Sequence, residues 1–237
     1  MTNEECLRMV PLFAGLSDSE VSLLSSQARK KLFPGKQQIL WRGEEGETLY
    51  VIASGRVKVH CSTEAGGEVT LDILGAGAYF GELSLLDQAP RSADVTAIEH
   101  TECVLLRSTA LREAVGRIPD LAWRLLEYLA QRVRAQNSSI ESLATGDTLG
   151  RIALLLLRLA DQHGEPWTGA GPRKTVLSGV RIGAKLTRAE IGTFIGASRE
   201  HVTNIINDLA NMGYLTTDKS TGHIVILKPA DLQKRAQ

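Results

Sequence analysis

The chain has 237 residues, of which 43% are hydrophobic and 23% are charged, so it can fill one or two globular domains and is too apolar to be wholly disordered. The charges cancel overall, yet residues 1–146 carry 15 basic and 19 acidic residues whereas residues 147–237 carry 12 basic and 8 acidic ones. An acidic front and a basic back are compatible with a C-terminal part that binds nucleic acid.

Simple features of the sequence exclude several classes of protein. The longest apolar run, Ile152–Leu157, has six residues, whereas a membrane-spanning helix needs about 20, so we expect no membrane partner. The acidic start of the chain lacks the basic segment and apolar run of a secretory signal, and we expect a cytoplasmic protein. The three cysteines, Cys6, Cys61 and Cys103, lie far apart, which predicts reduced thiols and neither a disulfide scaffold nor a metal site.

A region of short strands is predicted in the first half. Nine of the 22 glycines lie between Gly35 and Gly81, and they separate short apolar or alternating runs. Such spacing is typical of an antiparallel sandwich or barrel. The runs are Leu49–Ile52, Val57–Val59 and Val69–Ile73, and two further β-like runs follow at Ala93–Ile98 and Cys103–Leu106.

The segment FGELSLLDQAPRSA, residues 80–93, contains groups suited to a phosphorylated sugar. Gly81 lets the backbone approach a ligand, and one short helical turn after it would present amide groups to an anion. Arg91 can pair with phosphate oxygens, Ser92 adds a hydroxyl group, and Glu82 can accept from a sugar hydroxyl. The same spacing is also compatible with a surface salt bridge between Glu82 and Arg91, so this alternative stays open.

A long helix is predicted from Pro119, a residue suited to the first turn of a helix. Apolar residues follow at alternating intervals of four and three, which is the a/d pattern of a helix that packs along one seam. The seam consists of Ala122, Leu126, Leu129, Val133, Gln136, Ile140 and Leu143. Its partner is either the preceding strands or a second copy of the helix. Gln136, the one polar member, either fixes the register or is merely tolerated.

The helix is expected to end at Gly146-Asp147, a hinge-like break, and a second helix is predicted for residues 148–162. Residues 164–183 are rich in glycine and proline, which predicts a loop with at most one strand at Thr175–Leu177.

A helix-turn-helix is predicted in RAEIGTFIGASREHVTNIIND, residues 188–208. Gly192 is small enough for two helices to approach, Gly196 suits the turn, and Ser198 suits the N-cap of the second helix. Two β-like runs, Tyr214–Thr217 and His223–Leu227, would complete a wing. A winged helix used only for protein contacts is the alternative.

The second helix of this motif carries residue types that read base edges in the major groove. Arg can bind guanine, Glu can accept from cytosine and Asn can bind adenine. Thr187 and Arg188, at the start of the first helix, are suited to phosphate. We therefore predict a DNA-binding set of Thr187, Arg188, Ser198, Arg199, Glu200, Thr203 and Asn204.

These motifs together resemble the CRP/FNR family of bacterial transcription regulators over residues 13–228. FGELSLLDQAPRSA resembles the phosphate-binding cassette of cyclic-nucleotide-binding domains, and SREHVTNII resembles the family's recognition helix. The resemblance implies an α+β fold with three parts. They are a β-jelly-roll cyclic-nucleotide-binding domain at residues 1–118, a dimerisation helix at residues 119–146 and a winged helix-turn-helix at residues 147–237.

The resemblance also implies site residues and partners. Glu82 would bind the ribose 2′-OH, while Arg91 and Ser92 would hold the cyclic phosphate. The whole nucleotide-binding set is Gly81, Glu82, Leu83, Ser84, Arg91, Ser92, Ala93, Gln136 and Asn137. The expected effector is a cyclic nucleotide, with cAMP preferred and no metal required. The expected partners are palindromic double-stranded DNA, a second copy of the chain and RNA polymerase.

Two departures from the family pattern leave details open. The family has an Arg where this chain has Asn204, so the operator sequence is not fixed. It has Thr-Ser where this chain has Gln136-Asn137, so the choice of purine is not fixed either. Alternative inputs are cGMP, cyclic-di-GMP, haem, a redox signal or no ligand. A regulatory subunit that does not bind DNA is a further alternative, whereas no catalytic pattern favours an enzyme.

Overall fold

The computed structural model describes residues 1–63, 66–145, 147–170 and 176–235, apart from the side chains of residues 135, 138, 139 and 141–145. The chain forms two compact units, Met1–Ala135 and Gln136–Gln237. Each unit combines helices with antiparallel strands, which confirms the predicted α+β class. Our three domain bounds stay a prediction, and Gly146 of the predicted hinge lies outside the described residues.

The first unit is built on two four-stranded antiparallel sheets, as the glycine-separated runs predicted. Their strand orders are β1-β8-β3-β6 and β2-β7-β4-β5. The strands are β1 (Arg29–Phe33), β2 (Gln38–Leu40), β3 (Thr48–Ser54), β4 (Arg56–Ser62), β5 (Glu68–Gly75), β6 (Tyr79–Phe80), β7 (Asp94–Ala97) and β8 (Thr101–Arg107).

The sheet that contains β3 has a hydrophobic core on each of its two faces, because alternate apolar residues of the strand point to opposite sides. Ile52 and Phe80 join a cluster with Val57 and Val95 of the other sheet. Leu49 and its alternate neighbours on β3 join a second cluster with the helices. Successive residues of a strand point to opposite faces, so one strand serves both cores.

Five α-helices and one 3₁₀ turn accompany the sheets in the described part of this unit, and α5 continues into the second unit. They are α1 (Asn3–Arg8), a 3₁₀ turn (Pro11–Phe13), α2 (Asp18–Gln27), α3 (Leu83–Asp87), α4 (Ser108–Arg117) and α5 (Pro119–Thr145). Thr2 and Ser17 begin α1 and α2 with capping boxes, in which each hydroxyl and a Glu three residues later satisfy two backbone N–H groups.

Helix α5 confirms the predicted start at Pro119, and its two apolar stripes have different surroundings. Leu121 and Leu125 are buried in the core of the first unit. The predicted seam lies beside them, and its residues Leu126, Val133 and Ile140 are more than half exposed. Only Leu129 of the seam packs partly against that core, and the Leu143 side chain lies outside the described residues.

The second unit contains a four-stranded antiparallel sheet of order β11-β12-β10-β9 and four further helices in its described part. Asp147 caps the first helix, because its Oδ1 accepts from the Gly150 N–H at 2.6 Å. The elements are α6 (Thr148–His163), β9 (Gly164–Ala170), β10 (Val176–Ile182), α7 (Arg188–Ile195), α8 (Arg199–Asn211), β11 (Leu215–Thr217), β12 (Ile224–Ile226) and α9 (Pro229–Arg235).

The loop predicted for residues 164–183 is wrong. Strands β9 and β10 are antiparallel and pair along their whole length, with Ala170 opposite Val176 at one end and Gly164 opposite Ile182 at the other. Strand β10 also pairs with β12. Pro166 lies in β9, which is an edge strand of this sheet, the position where strands tolerate proline. Thr175, the start of the predicted short strand, lies outside the described residues.

None of the helices in the described ranges is both long and apolar enough to cross a membrane.

Candidate functional site

Arg91 lies at the centre of the predicted cassette, and its guanidinium group is buried among neutral acceptors. Its Nη1 donates to the Gly81 carbonyl at 2.6 Å and to Ser84 Oγ at 2.7 Å. Its Nη2 donates to the Thr48 carbonyl at 2.8 Å, at the start of β3. The side chain therefore bridges β3, Gly81 after β6 and the first turn of α3.

The positive charge of Arg91 has no carboxylate partner among the described residues. Its Nε is buried and makes no hydrogen bond. Burial lowers the pKa of Arg91, because loss of water disfavours the charged form. A buried cation with a free N–H is a group that an anion such as phosphate would satisfy.

Glu82 is buried and pairs with Arg132 of α5 at 2.5 Å. The alternative of a surface salt bridge between Glu82 and Arg91 is therefore wrong, because both side chains are buried and Glu82 pairs elsewhere. Burial acts to lower the pKa of Arg132, but Glu82, with Tyr128 and Asp72, raises it overall. Sequence reasoning missed Arg132, which lies 50 residues from its partner.

Two tyrosines pack behind this ion pair. The rings of Tyr79 and Tyr128 lie 4.2 Å apart, and the Tyr128 hydroxyl donates to the Tyr79 carbonyl at 3.3 Å. The Arg132 guanidinium lies 5.9 Å from the Tyr128 ring. The contacts join α5 to β6, the strand that leads directly into Gly81 and Glu82.

The other predicted cassette residues are brought to the same place. Gly81 has a φ of +83°, and α3 follows as the expected helical turn. Ser84 and Ala93 are buried, whereas Leu83 and Ser92 are exposed. Gln136 and Asn137 are exposed residues of α5 in the second unit, so their part in binding a nucleotide stays a prediction.

The helix-turn-helix forms as predicted, and small residues hold its helices together. A side-chain carbon on Gly192 would lie 2.5 Å from the Ala197 carbonyl, so glycine is needed where α7 meets the turn. Gly196 follows α7 with a φ of +66°. Ser198 caps α8, accepting from the His201 N–H at 3.2 Å. Val202, Ile206 and Leu209 form the buried face of α8.

The opposite face of α8 is available to a partner. Arg199, Glu200 and Asn204 are exposed there, as is His201, which sequence reasoning did not select. Thr203 is half-buried, and its hydroxyl donates to the Arg199 carbonyl at 2.7 Å. The exposed row combines a cation, an acceptor, an amide and an imidazole within the first two turns.

The two predicted phosphate contacts before α8 differ in their environment. Thr187 caps α7, and its hydroxyl already donates to Glu190 at 2.8 Å and accepts from the Glu190 N–H at 3.2 Å. Arg188 is half-buried, has no ion pair within the described ranges, and has a pKa lowered by burial. Of the two, only Arg188 has a positive charge that could interact with a DNA phosphate.

A tight turn connects the two wing strands β11 and β12. Asp218 accepts from the Ser220 N–H at 2.9 Å and from the Ser220 hydroxyl at 2.7 Å, and it pairs with Arg181 of β10. The hydrogen bonds from Ser220, with those from Thr221 and Arg181, hold the pKa of Asp218 well below its usual range. Lys219 is exposed at the tip of this turn.

Two family models match the chain, one in each half. The model described as "Cyclic nucleotide-binding domain" matches residues 30–117, and the model described as "Crp-like helix-turn-helix domain" matches residues 150–235. The first match contains Glu82 and Arg91, and the second contains α7 and α8.

Known proteins resemble the chain over nearly its whole length. A "CRP-like cAMP-activated global transcriptional regulator" of Mycobacterium tuberculosis is 33% identical over 235 residues, covering 99% of this chain and 100% of that protein. A "cAMP-activated global transcriptional regulator CRP" of Salmonella typhimurium is 34% identical over 190 residues, covering 80% and 86%. The crystal structure of Thermus thermophilus catabolite activator protein has a TM-score of 0.52 at 32% identity and covers 95% and 98% of the two chains. These relatives are regulators of transcription and not enzymes.

Proposed function

Since the chain belongs to the CRP/FNR family of DNA-binding transcription regulators, we propose that it is a homodimer whose affinity for a palindromic DNA site is controlled by cAMP. RNA polymerase is then the expected partner at the promoter.

The observation that carries the proposed effector is the uncompensated charge of Arg91. A cyclic nucleotide has one negative phosphate, and Arg91 has a buried Nε without an acceptor. Glu82, fixed by Arg132, has oxygen atoms suited to a ribose 2′-OH. Phosphate and ribose would thus be recognised by two groups that adjoin Gly81, since Glu82 follows it in sequence and Arg91 donates to its carbonyl.

Cyclic AMP is preferred among cyclic nucleotides because the relatives in Mycobacterium tuberculosis and Salmonella typhimurium are named as cAMP-activated. Gln136 is the residue we propose for contact with the purine, because an amide can both donate and accept.

The proposed DNA contacts divide into bases and phosphates. Arg199, Glu200 and Asn204 form the exposed start of α8, the part that enters the major groove in helix-turn-helix proteins. Arg188 is the proposed phosphate contact. A dimer would read two half-sites about 34–36 Å apart, one turn of the duplex.

The proposed dimer uses the exposed seam of α5. Leu126, Val133 and Ile140 recur every seven residues and are each more than half exposed in the single chain. A second copy of the same helix would bury them in coiled-coil fashion.

Calorimetric titration of the purified protein with cAMP, cGMP and cyclic-di-GMP tests the effector. We expect cAMP to bind, and we expect Arg91→Leu to remove measurable binding, since losing one partner of a buried charge pair costs about 2–5 kcal/mol. Arg29→Leu is the matched control, because Arg29 is exposed on β1 and should leave binding unchanged.

A gel-shift assay on a selected palindrome, with and without the nucleotide, tests the output. Stronger DNA binding with cAMP supports the proposal. Unchanged cAMP affinity in Arg91→Leu would overturn the cassette assignment, and Soret-region absorbance in the purified protein would favour haem as the input.

A further inference from the structure

One stretch of backbone runs alongside the whole length of Arg91. We call residues Gly43–Thr48, which lie after β2 and end at the first residue of β3, the clamp segment. At one end the Gly43 N–H donates to the Arg91 carbonyl at 2.9 Å, and the Arg91 N–H donates to the Glu44 carbonyl at 2.8 Å. At the other end the Thr48 carbonyl accepts from Arg91 Nη2 at 2.8 Å. The clamp segment thus fixes both the backbone and the tip of Arg91.

Gly46 lies between these two anchors, against the guanidinium itself. A Cβ atom at Gly46 would be 2.0 Å from Arg91 Nε, 2.2 Å from Cζ and 2.4 Å from Nη2. These distances are far below any van der Waals contact. The backbone of Gly46 is not in the left-handed region, so its φ does not exclude an alanine, and the three atoms nearest to the added Cβ all belong to the Arg91 guanidinium.

To relieve this steric conflict, the Arg91 side chain would move and the clamp segment would stay in place. The segment is tied to Arg91 at both ends, and the Glu47 carbonyl also accepts from the Ser108 N–H at 2.7 Å. The Arg91 tip is the far end of a flexible side chain. A methyl group at position 46 would therefore push the guanidinium away from Gly81, Ser84 and Thr48.

We propose that Gly46 is a positioning residue for recognition of the phosphate. The Arg91 guanidinium occupies the space that a side chain at position 46 would fill. The inference deepens the proposed function and rests on it. Gly46 acts only through Arg91, so it should affect ligands that carry a phosphate and not ligands that lack one. Adenosine shares the base and ribose of cAMP without the phosphate, and it separates these cases.

The experiment compares Gly46→Ala with wild type and with Gly116→Ala. Gly116 is the matched control, since it lies in α4 with nothing within 4 Å of an added Cβ and without a positive φ. We expect Gly46→Ala to weaken cAMP binding by about tenfold or more in calorimetry, as expected for a misplaced charge-assisted contact. Adenosine binding, followed by ligand-observed NMR, should not change. Unchanged cAMP affinity, or an equal loss for adenosine, would overturn the proposal.

A second measurement does not depend on any nucleotide. The ¹H–¹⁵N signal of Arg91 Nε–H, identified by its loss in Arg91→Leu, should exchange slowly with water in wild type because the atom is buried. In Gly46→Ala it should shift and exchange faster, and an identical signal would contradict the proposal. If wild type binds no cyclic nucleotide, the proposed effector fails while this measurement still decides the role of Gly46.

A double-mutant cycle covers the case in which Gly46→Ala folds poorly. Any loss of thermal stability in the single variant should disappear in the Arg91→Leu background, because leucine is too short to reach Gly46. Equal destabilisation in both backgrounds would show that Gly46 does not act through Arg91.

Discussion

Burial separates the three cysteines chemically. Cys6 of α1 and Cys103 of β8 are fully buried, whereas Cys61 of β4 is partly exposed. Burial raises the pKa of Cys6 to about 11 and that of Cys103 to about 12. The thiolate is the reactive form of cysteine. Reagents therefore react poorly with these two thiols for two reasons: the sulfur atoms are buried, and they stay protonated at neutral pH.

We therefore expect a thiol reagent at neutral pH to modify only Cys61 in the folded protein, and all three cysteines after unfolding. Ellman's assay on wild type and Cys61→Ser measures this, and fast reaction of two thiols in the native protein would contradict it. The raised pKa values favour the folded state below pH 9. Their contribution should be lost as pH rises from about 9 towards 12, because the unfolded thiols lose protons first.

The ion pair of Glu82 with Arg132 gives a second prediction. Removing one partner leaves a buried charge uncompensated. Arg132→Gln should lower the free energy of unfolding by about 3 kcal/mol, measured by urea denaturation. Arg134→Gln, on an exposed position of the same helix, should have little effect. The double variant Glu82→Gln/Arg132→Gln should recover part of the loss, and no recovery would mean that the pair is not the cause.

Two elements should contribute differently to DNA binding: α8 should determine sequence specificity, and the start of α7 should contribute affinity for any sequence. Arg199→Ala should cost about 1–3 kcal/mol and relax the preference at one base pair. Arg188→Ala should weaken binding to all sequences. It should also make the slope of log affinity against log salt concentration less steep by about 1, the amount expected for the loss of one phosphate contact. Fluorescence anisotropy on specific and random duplexes at several salt concentrations measures both. Equal binding of Arg199→Ala and wild type to the selected operator would contradict the assignment of α8.

The sequence predicts elements whose signal is local and periodic. Helix α5 and the helix-turn-helix follow from regular apolar spacing and from caps such as Ser198. The pairing of β9 with β10 does not, because Gly179 of β10 has a packing role that the local sequence does not reveal. A side-chain carbon at Gly179 would lie 2.3 Å from the Ile226 carbonyl of the neighbouring strand. Glycine there serves a close strand approach, although it looks like a loop residue.

The same limit applies to the cassette. Glu82 and Arg91 are found because they share one short motif with a known pattern of residues. Arg132 and Gly46 reach them from distant positions, 50 residues from Glu82 and 45 from Arg91. Only the fold brings α5 and the clamp segment to those side chains, so no spacing within the motif could reveal them.

At the scale of the whole molecule, Gln136 should link ligand to DNA binding. It interrupts the exposed apolar seam and is our proposed contact with the purine. Gln136→Leu should preserve or strengthen the dimer, because the seam becomes fully apolar. It should also reduce the ratio of DNA affinities measured with and without nucleotide, since a ligand shifts a population only through differential contacts.

Analytical ultracentrifugation and titrations of operator DNA measure the two effects. Gln131→Leu is the matched control, because Gln131 is exposed on α5 outside the seam. An unchanged affinity ratio in Gln136→Leu, with nucleotide still bound normally, would show that Gln136 has no part in the response.

Helix α5 runs without a break from Pro119 to Thr145, so the boundary between the two compact units, after Ala135, lies inside one helix. Each residue of an α-helix turns the chain by about 100°. One residue inserted after Ala135 would rotate everything that follows, whereas about seven inserted residues, close to two turns, would nearly restore its direction. A junction between a sensing half and a DNA-binding half at this point would therefore keep the helical phase only if it adds about seven residues or a multiple of seven.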